Sequence, residues 1–438
     1  MHIIIAGAGR VGFRLAKALS IRHNVAIMDK NKEALNRLQE NIDILPIVGN
    51  IQDPDSYEYF FGKDIDLFIA VADVDEINLI ASIIVDEKIK VKRKIIRLRN
   101  QFFAGSSIAA KIGITEAVFP FNLTATSVKA LLDYPKANNV KNFAETSMKL
   151  ISVRANFHHD IPDIIVEQIN STNIVVVGIE RKKSFHIPKN SDSIEHDDMV
   201  YLFGEHHAIE NLCKRFNHYM PKTIKRIIIF GADMLGVEIA KSLVDKNVSI
   251  KIIEKDIEKC KKAAKVLHGN VTVINSQYGD ARLYEGEGLK NADMLIASTA
   301  NDEENIIKCI EAKEHGIEKV VAINNDIEYY NLMHSLDIIV VRGPKTNAYY
   351  SIMEIIGSSS AVNEKLFCGG SAICFIRDFK KESRLIKPLI KRDIISYIIS
   401  SEGLTLFNKA IIPDESSIVI SFCVRDKEEK VQKWINDL

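Results

Sequence analysis

The residues with the clearest chemistry form a glycine-rich turn near the start of the chain, Gly7-Ala8-Gly9-Arg10-Val11-Gly12. In the G-x-G-x-x-G pattern the first glycine permits a tight turn, the second admits a pyrophosphate close to the backbone, and the third lets a helix pack against a strand. The turn follows an apolar run and opens a helical pattern, and the N–H groups at a helix N-terminus attract anions. The spacing therefore predicts a phosphate-binding turn. The alternative is a turn needed only for packing.

A carboxylate stands where dinucleotide-binding domains bind a ribose. Asp29 ends the next apolar run, 22 residues after Gly7, and about 20 residues is the typical distance. Its carboxylate can accept hydrogen bonds from both ribose hydroxyls and would repel a 2′-phosphate. Together the turn and Asp29 predict a site for NAD(H) or a related adenine nucleotide.

Other small or polar residues lie at the ends of the next predicted strands. Gly49 and Asn50 follow the third strand, Ala72 and Asp73 follow the fourth, and Arg97 and Arg99 alternate on the fifth. Because the carboxyl ends of parallel strands share one edge of the sheet, we expect these residues beside the glycine turn. Arg97 and Arg99 alternate along a strand and therefore point to one face, where a planar guanidinium group suits phosphate. The alternative for each arginine is an ion pair with a carboxylate of this chain.

The glycine turn occurs twice in the chain. His2–Gly12 reads HIIIAGAGRVG and Arg226–Gly236 reads RIIIFGADMLG, at an offset of 224 residues. Asp66–Asn78 and Asp293–Asn305 match at an offset of 227 residues. Matching segments in the same order at nearly constant spacing indicate a duplication.

The second copy departs from the pattern at its centre. Asp233 replaces the middle glycine, so a carboxylate occupies the space of a phosphate and repels its charge. Gly231, Gly236 and Glu254 remain as weaker candidates, while the predicted fifth strand, Val320–Ile323, offers no arginine. We therefore expect this copy to serve folding and assembly, and we expect about one nucleotide per chain.

Short apolar runs alternate with helical patterns in each copy, which is typical of a parallel, doubly wound α/β sheet. In the first copy the predicted strands are Ile3–Ala6, Val25–Met28, Ile44–Val48, Leu67–Val71 and Lys94–Leu98. Each copy is followed by further strand-like runs that predict a small α+β lobe. A lobe of about 70–80 residues has little core of its own, so pairing with a second lobe would stabilise it. The expected fold class is a duplicated Rossmann-like sheet, each copy followed by such a lobe.

The predicted domains follow this repeat. They are a first Rossmann-like domain (1–120), a crossover helix (121–145), a first lobe (146–221), a second Rossmann-like domain (222–342), a linker helix (343–364) and a second lobe (365–438). Within the crossover, Val128, Leu131 and Leu132 fall on one helical face of Thr124–Tyr134. This face predicts pairing with another domain. The alternative is packing within its own domain.

Composition argues against several classes of protein. Lys+Arg and Asp+Glu number 58 each, so no global field attracts nucleic acid. We find no secretory signal and no run of the roughly 18–20 apolar residues of a membrane span, which predicts a cytoplasmic protein. The six cysteines form no C-x-x-C pair. We interpret the two histidine clusters, His158-His159-Asp160 and His206-His207, as polar residues of loops. We therefore expect no metal site.

Duplicated nucleotide-binding units, each followed by a small lobe, resemble the peripheral TrkA-type subunits of the Trk potassium-uptake system. Those subunits contain two RCK units, each with a KTN and a TrkA-C part. The first half carries the closest motifs besides the glycine turn and Asp29: DEIN (Asp75–Asn78), IRLR (Ile96–Arg99), LLDYP (Leu131–Pro135) and FAE (Phe143–Glu145). The resemblance covers essentially the whole chain.

The resemblance implies a non-enzymatic regulatory subunit, peripheral on the cytoplasmic face of the cell membrane. Such a subunit would bind NAD(H) or ATP/ADP, gate an integral-membrane potassium translocator, form a homo-oligomer (dimer or tetramer) and bind no nucleic acid. Carried over by position, the site residues are Gly7, Gly9 and Gly12 for the phosphates, Asp29 for the ribose, and Arg99, with or without Arg97, for the phosphate tail. Departures at Asp233 and at Ser276-Gln277, where the family often has Gly-Asp, put a second nucleotide site in doubt.

Two other functions fit parts of the pattern. An NAD-dependent oxidoreductase would need a second domain that brings an acid–base pair to the nicotinamide, and this chain continues instead with a small lobe and another copy. A nucleotide sensor acting on another partner would use the same residues, because fold and ligand do not fix the partner.

Overall fold

The computed structural model describes residues 1–438 except 41, 105, 144, 158–163, 219–220, 222, 278–281, 358–362, 380–386, 390, 409–416 and 437–438. Two compact units make up the chain. One comprises Met1–Thr124 with Arg342–Ile356, and the other comprises Ala125–Val341 with Gly357–Leu438.

The first copy forms a parallel six-stranded sheet in the order β3-β2-β1-β4-β5-β6. Its elements are β1 (His2–Ala6), α1 (Arg10–Leu19), β2 (Asn24–Asp29), α2 (Lys32–Gln39), β3 (Leu45–Val48), β4 (Asp64–Ala70), α3 (Asp75–Lys88), β5 (Lys90–Arg97), α4 (Ile108–Lys111), β6 (Glu116–Val118) and α5 (Pro120–Asp133). All five predicted strands are confirmed, and β6 is an addition to them. Apolar side chains on both faces bury the central strands between layers of helices.

The first lobe is an antiparallel sheet in the order β11-β10-β13-β8-β7, beside a two-stranded sheet of β12 and β9. Its elements are β7 (Asn139–Asn142), β8 (Lys149–Arg154), β9 (Ile164–Ile165), β10 (Ile174–Arg181), β11 (Ser184–His186), β12 (Ser193–Ile194), β13 (Met199–Gly204) and α6 (His206–Phe216).

The second copy repeats the first sheet in the order β16-β15-β14-β17-β18-β19. Its elements are β14 (Arg226–Phe230), α7 (Met234–Leu243), β15 (Ser249–Glu254), α8 (Ile257–Val266), β16 (Val271–Asn275), α9 (Arg282–Gly286), β17 (Met294–Ala297), α10 (Asp302–Glu314), β18 (Lys319–Asn324), α11 (Tyr330–Ser335), β19 (Ile339–Arg342) and α12 (Pro344–Gly357). The two sheets together confirm the predicted duplicated, Rossmann-like fold class.

The second lobe repeats the antiparallel arrangement in the order β20-β21-β24-β22-β23. Its elements are β20 (Asn363–Phe367), β21 (Ala372–Asp378), β22 (Ile394–Ser400), β23 (Gly403–Leu406), β24 (Ile418–Val424) and α13 (Glu428–Asn436). The two lobes share one apolar core. In it the rings of Phe203 and Phe422 lie 5.4 Å apart, centroid to centroid. Each small lobe thus gains from the other the buried area that it lacks alone.

The helix that ends each copy packs on the other copy. Ala348, Ile352 and Ile356 of α12, at helical spacing, join the core of the first sheet. The α5 residues Lys129 and Asp133 form ion pairs with Asp245 and Lys246 of the second copy, at 2.9 and 2.7 Å. Val128 and Leu131 of α5 are buried as predicted. Leu132 is half-buried. Two ion pairs thus join this helix to the second copy, while pairing through its apolar face stays a prediction.

Basic residues at equivalent positions of the two sheets donate hydrogen bonds to the C-terminal ends of α12 and α5. Arg93, opposite Leu67 in β4, donates from Nη2 to the carbonyl oxygen of Ile355 in α12 at 3.3 Å. Lys319, opposite Met294 in β17, donates to the carbonyl oxygens of Pro135 and Ala137 just beyond α5, at 2.6 and 2.9 Å. Carbonyl groups at the C-terminal end of a helix lack intrahelical partners, so N–H donors at these positions satisfy them.

The state of the cysteines and the length of the helices are two further features of the structure. All six cysteines are buried and free of disulfide bonds. Among the described residues, none of the helices combines the length and hydropathy needed to cross a lipid bilayer.

Candidate functional site

The outer glycines of the first turn are required by the backbone. Gly7 adopts φ +107°, a conformation that L side chains rarely take, and its N–H donates to the carbonyl oxygen of Met28 at 2.8 Å. At Gly12 a Cβ atom would lie 1.8 Å from the carbonyl oxygen of Gly7. The tight turn and the close packing of α1 therefore exclude side chains at both positions.

The middle glycine is different, because its surroundings are open. Gly9 has φ −66° and ψ −175°, which any residue can adopt. Among the described residues, no heavy atom beyond its own chain neighbours lies within 4 Å of a Cβ placed there. It is the N-cap residue of α1, yet no side chain caps this helix and no acidic residue occupies its first turn. The N–H groups and positive end of the α1 dipole thus face open space, an arrangement that favours an anion.

Asp29 lies directly beside this turn. One carboxylate oxygen accepts from the N–H of Ala8 at 2.6 Å and the other from the N–H of Asn31 at 2.8 Å. The side chain is partly exposed, and an ionised carboxylate offers about four acceptor positions. Asp29 therefore stabilises the turn and keeps acceptors for ribose hydroxyls.

The two arginines meet at Asp73. Arg97 is buried and forms an ion pair with Asp73, with 3.0 Å between Nη1 and Oδ1. Burial lowers the pKa of Arg97, and the charge of Asp73 opposes that shift. Arg99 donates from Nη1 to the carbonyl oxygen of Asp73 at 2.7 Å and lies over the ring of Phe121. The ion-pair alternative holds for Arg97, and the buried Nε of each arginine has no partner among the described residues.

Sequence reasoning did not assign the residues that hold these groups in place. The buried Asn78 accepts from the N–H of Ala72 at 2.9 Å and donates to the carbonyl oxygens of Ala72 and Arg97. Asp75 accepts from the N–H groups of Arg99 and Asn100, both at 2.8 Å. The repeated segments DEIN and DEEN contained the pattern that identifies them.

The third strand contributes less to the site. Gly49 lies next to Asp29, since its N–H donates to the carbonyl oxygen of Asp29 at 3.1 Å. Asn50 accepts from the N–H of Gln52 in a local turn. The structure thus brings Gly49 to the site, while the side chain of Asn50 stabilises its own loop.

The second copy preserves the scaffold of the turn. Gly231 has φ +103°, and a Cβ at Gly236 would lie 1.9 Å from the carbonyl oxygen of Gly231. Glu254 accepts from the N–H groups of Ala232 and Asp256, at 2.8 and 2.9 Å, as Asp29 does from Ala8 and Asn31. The steric and hydrogen-bonding demands of the turn are the same in both copies.

The groups that would hold a ligand differ in the second copy. Asp233 is the N-cap residue of α7, with φ −66° and ψ 173°, nearly the conformation of Gly9. Its side chain makes no capping hydrogen bond, and its carboxylate lies 2.7 Å from Nζ of Lys259. The hydrogen bond to Asp233 raises the pKa of Lys259. An anion of the chain itself therefore stands at the N-terminus of α7.

The remaining ligand positions of this copy also change. Glu254 is only 2% exposed, so its carboxylate does not face a ribose. Asn305 and Asp302 bind the backbone of Ile323 and Asn325, which occupy the places of Arg97 and Arg99. The second copy keeps the residues that build the turn and differs from the first at the positions predicted to bind a nucleotide.

The structure corrects the interpretation of one histidine pair. His206 and His207 begin α6, whereas the sequence placed them in a loop, and Glu210 lies close to both. Adjacent residues face opposite sides of a strand but only about 100° apart on a helix. His158, His159 and Asp160 lie outside the described residues.

A groove of about 760 Å³ lies at the other edge of the first sheet, where the strands begin. Its lining includes Ser20, Arg22, Asn24, Tyr59 and Lys63. This edge has no glycine turn and no strand carboxyl ends, so the chemistry of phosphate binding favours the edge at Gly9.

Both glycine turns fall within segments that match a known family. Residues 3–120 and 227–344 match the family model of the TrkA-N domain. The chain is 26% identical to Trk system potassium uptake protein TrkA homolog 1 of Methanosarcina mazei, over 99% of this chain and 100% of the relative. It is 27% identical to Trk system potassium uptake protein TrkA of Vibrio alginolyticus, over 85% of this chain and 82% of the relative.

Solved structures share the fold at low sequence identity. The RCK domain of GsuK aligns with a TM-score of 0.63 at 14% identity, over 99% of this chain and 94% of the other. The GsuK channel bound to NAD aligns with a TM-score of 0.64 at 14% identity, and the alignment covers 99% of this chain and 78% of the GsuK chain. GsuK bound to ADP aligns with a TM-score of 0.52 at 13% identity, and the alignment covers 82% of this chain and 69% of the GsuK chain. The chain thus has the RCK fold.

Proposed function

The chain belongs to the TrkA-N domain family and is a non-enzymatic regulatory protein of potassium uptake, and from this premise we propose that its first copy binds NAD(H) and thereby gates a potassium translocator. ATP and ADP are the competing ligands of the same site. The proposal places the chain on the cytoplasmic face of the membrane, as a homo-oligomer (dimer or tetramer) bound to a separate integral-membrane protein.

The open N-terminus of α1 beside Asp29 carries this proposal. Gly9 leaves space against uncapped N–H groups, and Asp29 accepts a hydrogen bond from the N–H of Ala8, the residue before Gly9. A pyrophosphate at Gly9 and a ribose at Asp29 account for both features at once. Asp29 would repel a 2′-phosphate, which favours NAD(H) over NADP(H).

The cluster of Asp73, Arg97 and Arg99 supplies the far end of the proposed site. The charge of Arg97 is already compensated by Asp73, so we assign the contact with the phosphate tail to Arg99. An arginine that makes two hydrogen bonds to a phosphate adds geometric specificity that the compact charge of a lysine does not supply. GsuK structures with NAD and with ADP give precedents for both ligands on this fold.

Gating requires that the nucleotide bind two arrangements of the protein with different affinity. A coupling of about 1–3 kcal/mol is typical and changes the ratio of the two states roughly 5- to 150-fold. Such a difference can be transmitted to a translocator if paired domains meet differently in the two arrangements.

The proposal is tested by titrating the full-length chain with NADH, NAD⁺, ATP and ADP in a calorimeter. We expect one bound NADH per chain, displaced by the adenine nucleotides. In cells that lack the protein, we expect altered potassium uptake, restored by the wild-type gene. Two equivalent sites per chain would contradict the assignment of the second copy, and potassium uptake unaffected by deletion would contradict the gating role.

A further inference from the structure

A cluster of potential metal ligands lies on α6 of the first lobe, a part of the chain to which the proposed nucleotide site gives no role. His206, His207 and Glu210 each offer one ligand atom, and these three atoms lie within 4.8 Å of one another. Both histidines are exposed and Glu210 is half-buried, so an ion can enter from solvent. No other such group occurs among the described residues.

The helix itself creates this arrangement. Glu210 follows His206 by four residues and His207 by three, and residues at these spacings are neighbours on a helix surface. Two imidazoles and one carboxylate are a ligand set that Zn²⁺ accepts with tetrahedral geometry, leaving the fourth position to water.

Tyr134 adds a second contact that suits a bound metal. Its hydroxyl lies 2.6 Å from Nδ1 of His206, and the two rings meet edge to face with centroids 5.0 Å apart. When Nδ1–H donates to this hydroxyl, the lone pair is on Nε2 and is available to a metal. Metal-binding histidines are commonly oriented in this way by a partner on the other nitrogen.

We propose that His206, His207 and Glu210 form a Zn²⁺ site that fixes α6 to the end of the crossover helix α5. Tyr134 is buried and follows Asp133, the last residue of α5. A zinc ion that holds His206 therefore also holds the residue at which α5 leads into the lobe. Lys214 occupies the carboxylate at present, with 2.6 Å between its Nζ and Oε1 of Glu210, so zinc has to displace it.

The test is Zn²⁺ binding to the full-length chain, measured by competition with a chromophoric chelator. Wild type is expected to bind one more Zn²⁺ ion than the double variant His206→Ala/His207→Ala. Tyr134→Phe is expected to weaken binding about 10- to 100-fold, the usual effect of losing the partner of a metal-binding histidine. Lys214→Gln should bind Zn²⁺ more tightly than wild type, because it removes the competing charge.

A matched control is the double variant His186→Ala/His268→Ala, which removes two histidines from other parts of the chain. It should bind Zn²⁺ as wild type does. Wild type should also bind Co²⁺ with the visible absorption of a tetrahedral site. Its melting temperature should be higher with Zn²⁺ than without it. Both effects should be absent in His206→Ala/His207→Ala. Equal zinc stoichiometry and affinity in wild type and His206→Ala/His207→Ala would overturn the proposal, as would an equal loss in the control.

Discussion

The two glycine turns of this chain have the same backbone and differ at the helix N-terminus. Gly7 and Gly231 both adopt positive φ, and Gly12 and Gly236 both exclude a Cβ that would touch a carbonyl oxygen. The middle position is Gly9 in one copy and Asp233 in the other, with nearly equal backbone angles. The turn itself therefore requires glycine only at its first and third positions, and the proposed ligand would account for glycine at the second.

The acidic residues extend this comparison. Asp29 and Glu254 accept from backbone N–H groups at equivalent positions of the two copies, but only Asp29 is partly exposed. An acidic residue after the second strand of such a sheet thus has two separable roles. It holds the turn in both copies, and it can bind a ribose in the first.

The most severe expected effect comes from making the first turn resemble the second. Gly9→Asp should abolish NADH binding, because its carboxylate would occupy the phosphate position, and repulsion in a partly dry site costs several kcal/mol. The fold should persist, since Asp233 already adopts the same backbone conformation. Calorimetry with NADH and a thermal melt check both statements, and retained binding would show that phosphates do not approach Gly9.

A smaller effect separates the roles of the two acidic residues. Asp29→Ala should weaken NADH binding about ten- to a hundredfold, because a hydrogen bond to a charged acceptor contributes roughly 1.5–3 kcal/mol. Glu254→Ala removes the equivalent turn bonds in the second copy and should leave NADH affinity unchanged. Calorimetry that finds the same affinity in Asp29→Ala and wild type would remove the ribose assignment.

Lys319, which donates to the chain just beyond α5, predicts that the free energy of unfolding depends on pH, whereas its counterpart Arg93 predicts no such effect. Burial lowers the pKa of Lys319 to about 7, whereas unfolding returns it toward its ordinary value of 10.5. Above pH 7 the unfolded chain then binds a proton that the folded chain lacks, so this residue adds up to about 1.4 kcal/mol of unfolding free energy per pH unit. The increase should stop near pH 10.5, and below pH 7 the contribution should not vary.

Denaturant unfolding between pH 6 and 9 checks this effect by comparing wild type with Lys319→Met, which has no amine to titrate. The difference in pH slope between the two proteins should appear only above pH 7. Parallel slopes throughout would mean that Lys319 keeps its proton in the folded chain, held by the carbonyl oxygens of Pro135 and Ala137.

The smallest effect is expected at the ion pair of the second turn. Lys259→Ala should change the free energy of unfolding by less than about 1 kcal/mol, because both partners are well exposed. It should also leave the number of bound NADH molecules per chain unchanged, since Asp233 still repels phosphate. A second NADH bound by this variant would show that Lys259, and not the missing ligand groups, closes the site.

The sequence by itself determined the duplication, the five predicted strands of the first copy and the position of the first glycine turn. These features depend on local properties: apolar runs, the freedom of glycine and a spacing of 22 residues between Gly7 and Asp29. It also showed that Asp233 replaces the middle glycine, which predicts a weakened phosphate site because a carboxylate repels phosphate in any packing arrangement.

Tertiary structure decided which groups neutralise or support one another. Asp73 pairs with Arg97, Lys259 pairs with Asp233, and α12 completes the core of the first sheet, although each partner is distant in sequence. His206 and His207 were interpreted as a loop because two adjacent polar residues do not reveal a helix that begins with them. Such contacts depend on how elements pack, and packing arises from the whole set of buried side chains rather than from any local pattern.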